Sequence, residues 1–125
     1  MSRRMILVAD DEVLIRRLLQ PHLERAGFQT LLAENGAAAV RMAMNEAPEV
    51  IILDIEMPEM DGLSALRLLK SMECTRSIPV IIISVRYDDV TREEAKAWGA
   101  SGFLTKSFSP AQLLVEVMRV VDSKS

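Results

Sequence analysis

A single cysteine, Cys74, stands among 125 residues, so no disulfide can form within the chain. A lone thiol fits a reducing compartment and excludes the disulfide-stapled secreted classes. No apolar run approaches the ~20 residues a membrane-spanning helix needs. The opening segment has two arginines, Arg3 and Arg4, but only five apolar residues, Met5 to Ala9, before Asp10. That is too short for a secretory signal. Excess positive charge is also absent: 15 Lys and Arg face 18 Asp and Glu, the net charge is -3 and the pI is near 5.2. A direct nucleic-acid-binding surface is therefore not expected. Linkers, repeats and low-complexity stretches are missing too. What is there is 50% apolar and 26% charged, enough for one domain that buries its own core without a metal or a bridge. The expectation is one cytoplasmic domain over residues 1–125, ordered over 4–121.

All five glycines and four of the five prolines (Pro48, Pro58, Pro79 and Pro110) fall where an element should start or stop. Between them lie short runs rich in Ile and Val: Met5–Ala9, Val50–Leu53 and Val80–Ile83. They do not alternate with polar residues, so they read as strands covered on both faces. Gln29–Ala33 reads as a weaker edge strand and Gly102–Thr105 as a short fifth one. The intervening segments carry helical spacing. Ile15, Leu18, Leu19, His22, Leu23 and Ala26 share one face; so do Leu66, Leu69 and Met72, and so do Leu113, Leu114, Val117, Val120 and Val121. Ser109, Pro110 and Gln112 form a capping box at the start of the last helix. Pro21 sits inside the first helix, where a bend rather than a break is expected because the apolar face continues through it. The alternation βαβαβαβαβα predicts a doubly wound α/β fold with a parallel sheet.

In such a sheet, ligands bind beyond the carboxyl ends of the strands. Asp10, Asp11 and Glu12 follow the first run, Asp54 the third, Ser84 the fourth and Lys106 the fifth. Each alone has an ordinary explanation. An acidic residue at a helix start can simply offset the helix dipole, and a lone lysine is commonly solvated. Asp54 fits less easily, because a charge ending an apolar strand is expensive unless paired. Together they make a chemical set. Clustered carboxylates are best tolerated around a hard cation such as Mg²⁺. A carboxylate beside it can act as a nucleophile on phosphorus. Lys106 and the Ser84 hydroxyl could then stabilise the oxygens of the transferred group.

At these residues the chain resembles the receiver domain of bacterial two-component response regulators. The matching stretches are Ile6 to Glu12, Ile52 to Gly62, Pro79 to Ser84 and Gly99 to Lys106. The resemblance implies a flavodoxin-like, chemotaxis-regulator-like (βα)5 domain with strand order 2-1-3-4-5. It also implies that Asp54 accepts a phosphoryl group from a sensor histidine kinase or phosphotransfer protein. Asp10, Asp11, Asp54 and the backbone carbonyl of Glu56 would hold Mg²⁺, for which Mn²⁺ can substitute. Ser84 and Phe103 stand at the switch positions. The face formed by the fourth helix, fifth strand and fifth helix would change its affinity for an effector, or for a second copy in a phosphorylation-dependent homodimer. The domain would catalyse its own modification and turn over no metabolite.

Four departures from the family pattern bear on this site. Ser107 follows Lys106 where a cis-linked proline is usual; a non-proline cis bond costs ~3 kcal/mol, so a trans bond is expected. Val85 replaces a smaller residue after the switch serine and should narrow access to Asp54. Glu56 and Arg86 flank the mouth, where an ion pair between them would hinder water. Phe103 lacks a tyrosine hydroxyl, so packing alone would hold it inward. Two other functions compete: a haloacid-dehalogenase-type phosphatase, although Asp54-Ile55-Glu56 lacks its Asp-x-Asp pattern, and a phosphorylation-independent binding module. His22 and Cys74 are read as bystanders and the methionines as core filling. Trp98 is expected to pack at the end of the fourth helix, and Arg3, Arg4, Arg16 and Arg17 to be solvated.

Overall fold

The computed structural model describes residues 4–85 and 88–124. Ten elements alternate along the chain: β1 (Met5–Ala9), α1 (Val13–Arg25), β2 (Gln29–Ala33), α2 (Gly36–Glu46), β3 (Val50–Asp54), α3 (Gly62–Ser71), β4 (Val80–Ser84), α4 (Asp89–Ala97), β5 (Gly102–Thr105) and α5 (Pro110–Lys124). All neighbouring strands are parallel, in the order β2-β1-β3-β4-β5. This is the flavodoxin-like topology that the alternation and the resemblance anticipated. β3 and β4 each run one residue further than their apolar runs, so Asp54 and Ser84 belong to the strands themselves.

The absence of alternation in the central strands has a direct structural cause. Every residue of β3 and β4 is buried, because helices cover both faces of the sheet. Leu7, Ile51, Leu53 and Ile82 point to one face, where Ala39 and Ala43 of α2 and Ala65, Leu66 and Leu69 of α3 pack on them. Ile6, Val8, Ile52, Ile81 and Ile83 point to the other, against Leu19 and Leu23 of α1 and Leu113, Val117 and Val120 of α5. Each such side chain contributes about 1.5–3 kcal/mol when fully buried. α4 is the exception: only Ala95 is buried in it.

Local signals explain where the helices start. Asn35 caps α2 by accepting from the Ala38 N–H at 2.8 Å, and Asp88 caps α4 through the Thr91 N–H at 2.7 Å. The Ser109–Gln112 capping box forms in both directions, at 2.7 and 3.1 Å. α1 runs through Pro21 as one helix. Its apolar face is narrower than the spacing suggested: Leu19 and Leu23 are buried, whereas Leu18 is 45% exposed and Ala26 is also exposed. The methionines contribute less to the core than expected. Met57 is buried and Met42, Met60 and Met72 pack on the edge of the core, but Met44 and Met118 are exposed. No helix among the described residues is long and apolar enough to cross a membrane.

Candidate functional site

The carboxyl ends of β1, β3, β4 and β5 bring Asp10, Asp54, Ser84 and Lys106 to one rim of the sheet. Asp54 stands beside Ile83 in the register of β3 and β4, and Ser84 stands beside Thr105 in that of β4 and β5. Asp10, Asp54 and Ser84 are buried, at 0%, 1% and 0% exposure. Asp11 and Glu12 lie outside them and are exposed. Lys106 reaches in from the β5 end. Its Nζ lies 3.0 Å from Asp10 Oδ2, 3.0 Å from Asp54 Oδ2 and 2.7 Å from Glu12 Oε1. Sequence reasoning gave Glu12 no role toward Lys106, yet Glu12 is its shortest partner. Its position after the same strand as Asp10 places Glu12 at this rim, but only the closed fold shows which cation it meets.

Burial dominates the electrostatics. It pushes the Asp54 carboxyl up to about 6, with Asp10 adding repulsion and the Lys106 hydrogen bond opposing both. Burial likewise raises Asp10, against the pull of the Glu12 N–H and of Lys106. For Lys106, burial works against the charged form but loses to the hydrogen bonds it donates to Glu12 and Asp54 and to the close approach and charge of Asp10, so its ammonium is held more firmly than usual. The site thus gathers the carboxylates of Asp10, Glu12 and Asp54 around one ammonium. A single ammonium cannot balance them.

That imbalance shows at one atom. Asp10 Oδ2 is buried and accepts no hydrogen bond: Lys106 sits at ion-pair distance but not in hydrogen-bonding direction. The ammonium offsets the charge of this oxygen without aligning on it, and a hard cation beside it would complete its surroundings. Oxygens of Asp10, Asp11 and Glu12 lie within 4.8 Å of one another, the one such group among the described residues. Asp54 joins this group through Lys106. The Glu56 N–H donates to Asp54 Oδ1 at 3.3 Å, folding the Glu56 backbone around the carboxylate. An open cavity of about 610 Å³, lined by Asp11, Glu56, Met57, Asp61 and Thr91 among others, adjoins the cluster. These donors are all oxygens and fit Mg²⁺ or Mn²⁺.

The loop after β3 is built to hold Asp54 in place. The Gly62 N–H donates to the Ile55 carbonyl at 2.7 Å. A Cβ on Gly62 would lie 2.1 Å from the Asp54 carbonyl oxygen, so only glycine fits there. Asp61, acidic and near the rim, is spent on capping α3 through the Ser64 N–H at 2.8 Å. Arg16 is not solvated as expected; its guanidinium donates to the Asp10 carbonyl and ties α1 to the site.

The remaining expected residues fall as follows. Phe103 is half-buried and lines a cavity of about 340 Å³ between α4, β5 and α5, together with Ala95, Ala100 and Arg119. Val85 is 63% exposed and shares with Thr105, Lys106 and Ser107 an open cavity of about 560 Å³. Arg86 lies outside the described residues, and with it the expected pairing to Glu56. No peptide bond among the described residues is cis, so Lys106–Ser107 is trans as expected. Trp98 closes α4 and stacks on Arg67 at 4.7 Å, but 44% of it stays exposed. His22 sits half-buried with Nδ1 3.1 Å from the Leu18 carbonyl oxygen, away from the site. Cys74 is exposed.

Comparison with known proteins agrees with this architecture. The response regulator receiver domain family matches residues 6–118. The phosphate regulon transcriptional regulatory protein PhoB of Klebsiella pneumoniae is 37% identical over 121 residues, 97% of this chain and 52% of that protein. The transcriptional regulatory protein SrrA of Staphylococcus aureus is likewise 37% identical, over 90% of this chain and 45% of its own length. The chain thus spans about half the length of these curated relatives. Among solved structures, CheY in the CheX–CheY–BeF3–Mg complex from Borrelia burgdorferi superposes with a TM-score of 0.88 at 28% identity, covering 94% of this chain and 88% of that one.

Proposed function

The chain belongs to the response regulator receiver domain family of two-component systems, and from that premise we propose that Asp54 is the phosphoacceptor of a Mg²⁺-dependent phosphorelay step. The observation that carries this reading is a buried carboxylate, 1% exposed, whose Oδ2 meets the Lys106 ammonium at 3.0 Å. With its carboxyl raised to about 6, Asp54 is mostly ionised at neutral pH and poorly hydrated, the state a nucleophile needs. Its oxygen would attack the phosphorus of a phosphohistidine on a histidine kinase or phosphotransfer protein. The P–O bond forms as the P–N bond breaks, the imidazole keeps the electron pair, and an aspartyl phosphate results. Lys106 would hold one phosphoryl oxygen by charge, and the Ser84 hydroxyl would donate to another. Asp10, Asp11, Asp54 and the Glu56 carbonyl would hold Mg²⁺, with Glu12 a further neighbour; when bound, the ion supplies positive charge for the phosphoryl oxygens.

Movement of Ser84 towards the phosphoryl group would leave room for Phe103 to turn inward from the 340 Å³ cavity it lines. The α4–β5–α5 face would then present a changed surface to an effector or to a second copy of the domain. α4 is suited to such a shift because Ala95 is its only buried residue. Glu56, Val85 and Arg86 would tune access of water and donors. We read residues 1–125 as one receiver domain (4–121 its ordered core), regulatory rather than metabolic, and acting in the cytoplasm. The Borrelia relative in complex with BeF3 and Mg supports the choice of probe. Adding beryllofluoride and Mg²⁺ together should give protein-bound fluorine NMR signals with wild type and none with Asp54→Asn. Signals of equal strength in both proteins would reject Asp54 as the acceptor.

A further inference from the structure

Lys106 leaves β5 in a tight turn. Its own N–H donates to the Ser84 carbonyl at 2.7 Å, and the Phe108 N–H donates to the Thr105 carbonyl at 3.0 Å, closing Thr105 to Phe108 into one loop. The residues on either side of Lys106 are joined as well: Thr105 Oγ1 and Ser107 Oγ meet at 2.8 Å, while the Lys106 side chain between them runs to the carboxylates. A lysine side chain is long and flexible, so its aim depends on how firmly its backbone is held. Ser107 brings no ring to restrict the chain after Lys106. The hydroxyl contact spans that stretch instead, from half-buried Thr105 to Ser107.

We propose that the Thr105–Ser107 hydroxyl pair is a positioning device that fixes the turn so that Lys106 Nζ stays on Asp54, Asp10 and Glu12, and that phosphoryl transfer depends on it. The inference rests on Asp54 as phosphoacceptor. Neither hydroxyl touches the reacting atoms; both act through Lys106. Losing one neutral hydrogen bond typically costs about 0.5–1.5 kcal/mol, which corresponds to a rate change of roughly 3- to 10-fold if the whole loss falls on Lys106.

The test uses the 125-residue chain and the variants Ser107→Ala, Thr105→Val, their combination, and Ser107→Thr. Ser107 is exposed, so its replacement leaves the core untouched. Two readouts are taken: the NMR signal of the Lys106 ammonium in metal-free protein, visible while its protons are held, and the rate of phosphorylation by acetyl phosphate with Mg²⁺. Each single variant should weaken the signal and slow the rate roughly 3- to 10-fold. The combination should be no slower than either alone, and Ser107→Thr should restore both readouts. An undiminished Lys106 signal in the single variants overturns the proposal, as does a weakened signal with an unchanged rate. Additive slowing, or no recovery in Ser107→Thr, overturns it too. Should wild type take up no phosphoryl group, or Asp54→Asn take it up equally, the phosphoacceptor reading fails, and the ammonium signal still decides the positioning role.

Discussion

Asp54 and Lys106 set the energetics of the rim. The aspartate titrates near 3.8 when unperturbed and at about 6 in the fold. As pH falls through about 6, the folded state binds a proton that the unfolded chain does not. The stability contributed by that proton is fully present below about 4 and lost as pH rises through 6. Metal-free protein should therefore gain stability from this group between neutral and mildly acidic pH. Asp54→Asn should be more stable than wild type at neutral pH by on the order of 1–3 kcal/mol, and that advantage should shrink as pH approaches 4. Urea unfolding of both proteins at several pH values checks this; a constant difference would contradict it. Val85 presents a second test. Val85 is 63% exposed and lines an open cavity with Lys106; under the proposed function its branched side chain would stand in the path of a donor without supporting the core. Val85→Ala should speed phosphorylation by acetyl phosphate roughly 2- to 5-fold, the equivalent of about 0.5–1 kcal/mol of barrier. An unchanged rate would show that Val85 does not govern access.

Elements turn these residues into a site, and here the sequence was legible to different depths. The three central strands could be read because an unbroken apolar run such as Val80–Ile83 has one cheap solution, burial on both faces. Polar residues ending those runs could be read as a cluster for the same reason. Side-chain partnerships across the sheet could not be read. Glu12 and Lys106 are 94 positions apart, and only the closed fold decides that they meet. Arg16 reads as solvated because nothing in its helical spacing shows a carbonyl waiting at the end of β1. Leu18 reads as part of the buried face because helical spacing marks a stripe without showing how wide the covering partner is. The loop between β3 and α3 carries the clearest constraint at this scale. Gly62→Ala would place a carbon 2.1 Å from the Asp54 carbonyl oxygen, so the loop must shift. A loss of about 1–3 kcal/mol is expected from such overpacking, with phosphorylation slowed because Asp54 moves with its backbone. Thermal unfolding together with the acetyl phosphate rate checks both; a variant as stable and as fast as wild type would show that the loop yields freely.

At the scale of the whole molecule, the division of labour follows from the fold. Four strand ends gather the carboxylates, hydroxyl and ammonium at one rim, while α4, with a single buried residue, is the least anchored helix beside it. Under the proposed function, a charge placed at Asp54 would act near the helix with the fewest buried residues. The central claim is that Asp54 takes up a phosphoryl group in a reaction that needs a divalent cation. Intact-mass spectrometry after incubation with acetyl phosphate tests it most directly. Wild type with Mg²⁺ should gain the mass of one phosphoryl group, and should gain nothing when the metal is chelated. Asp54→Asn should gain nothing in either condition. A wild-type chain that stays unmodified with Mg²⁺, or an Asp54→Asn chain modified to the same extent, would contradict the account.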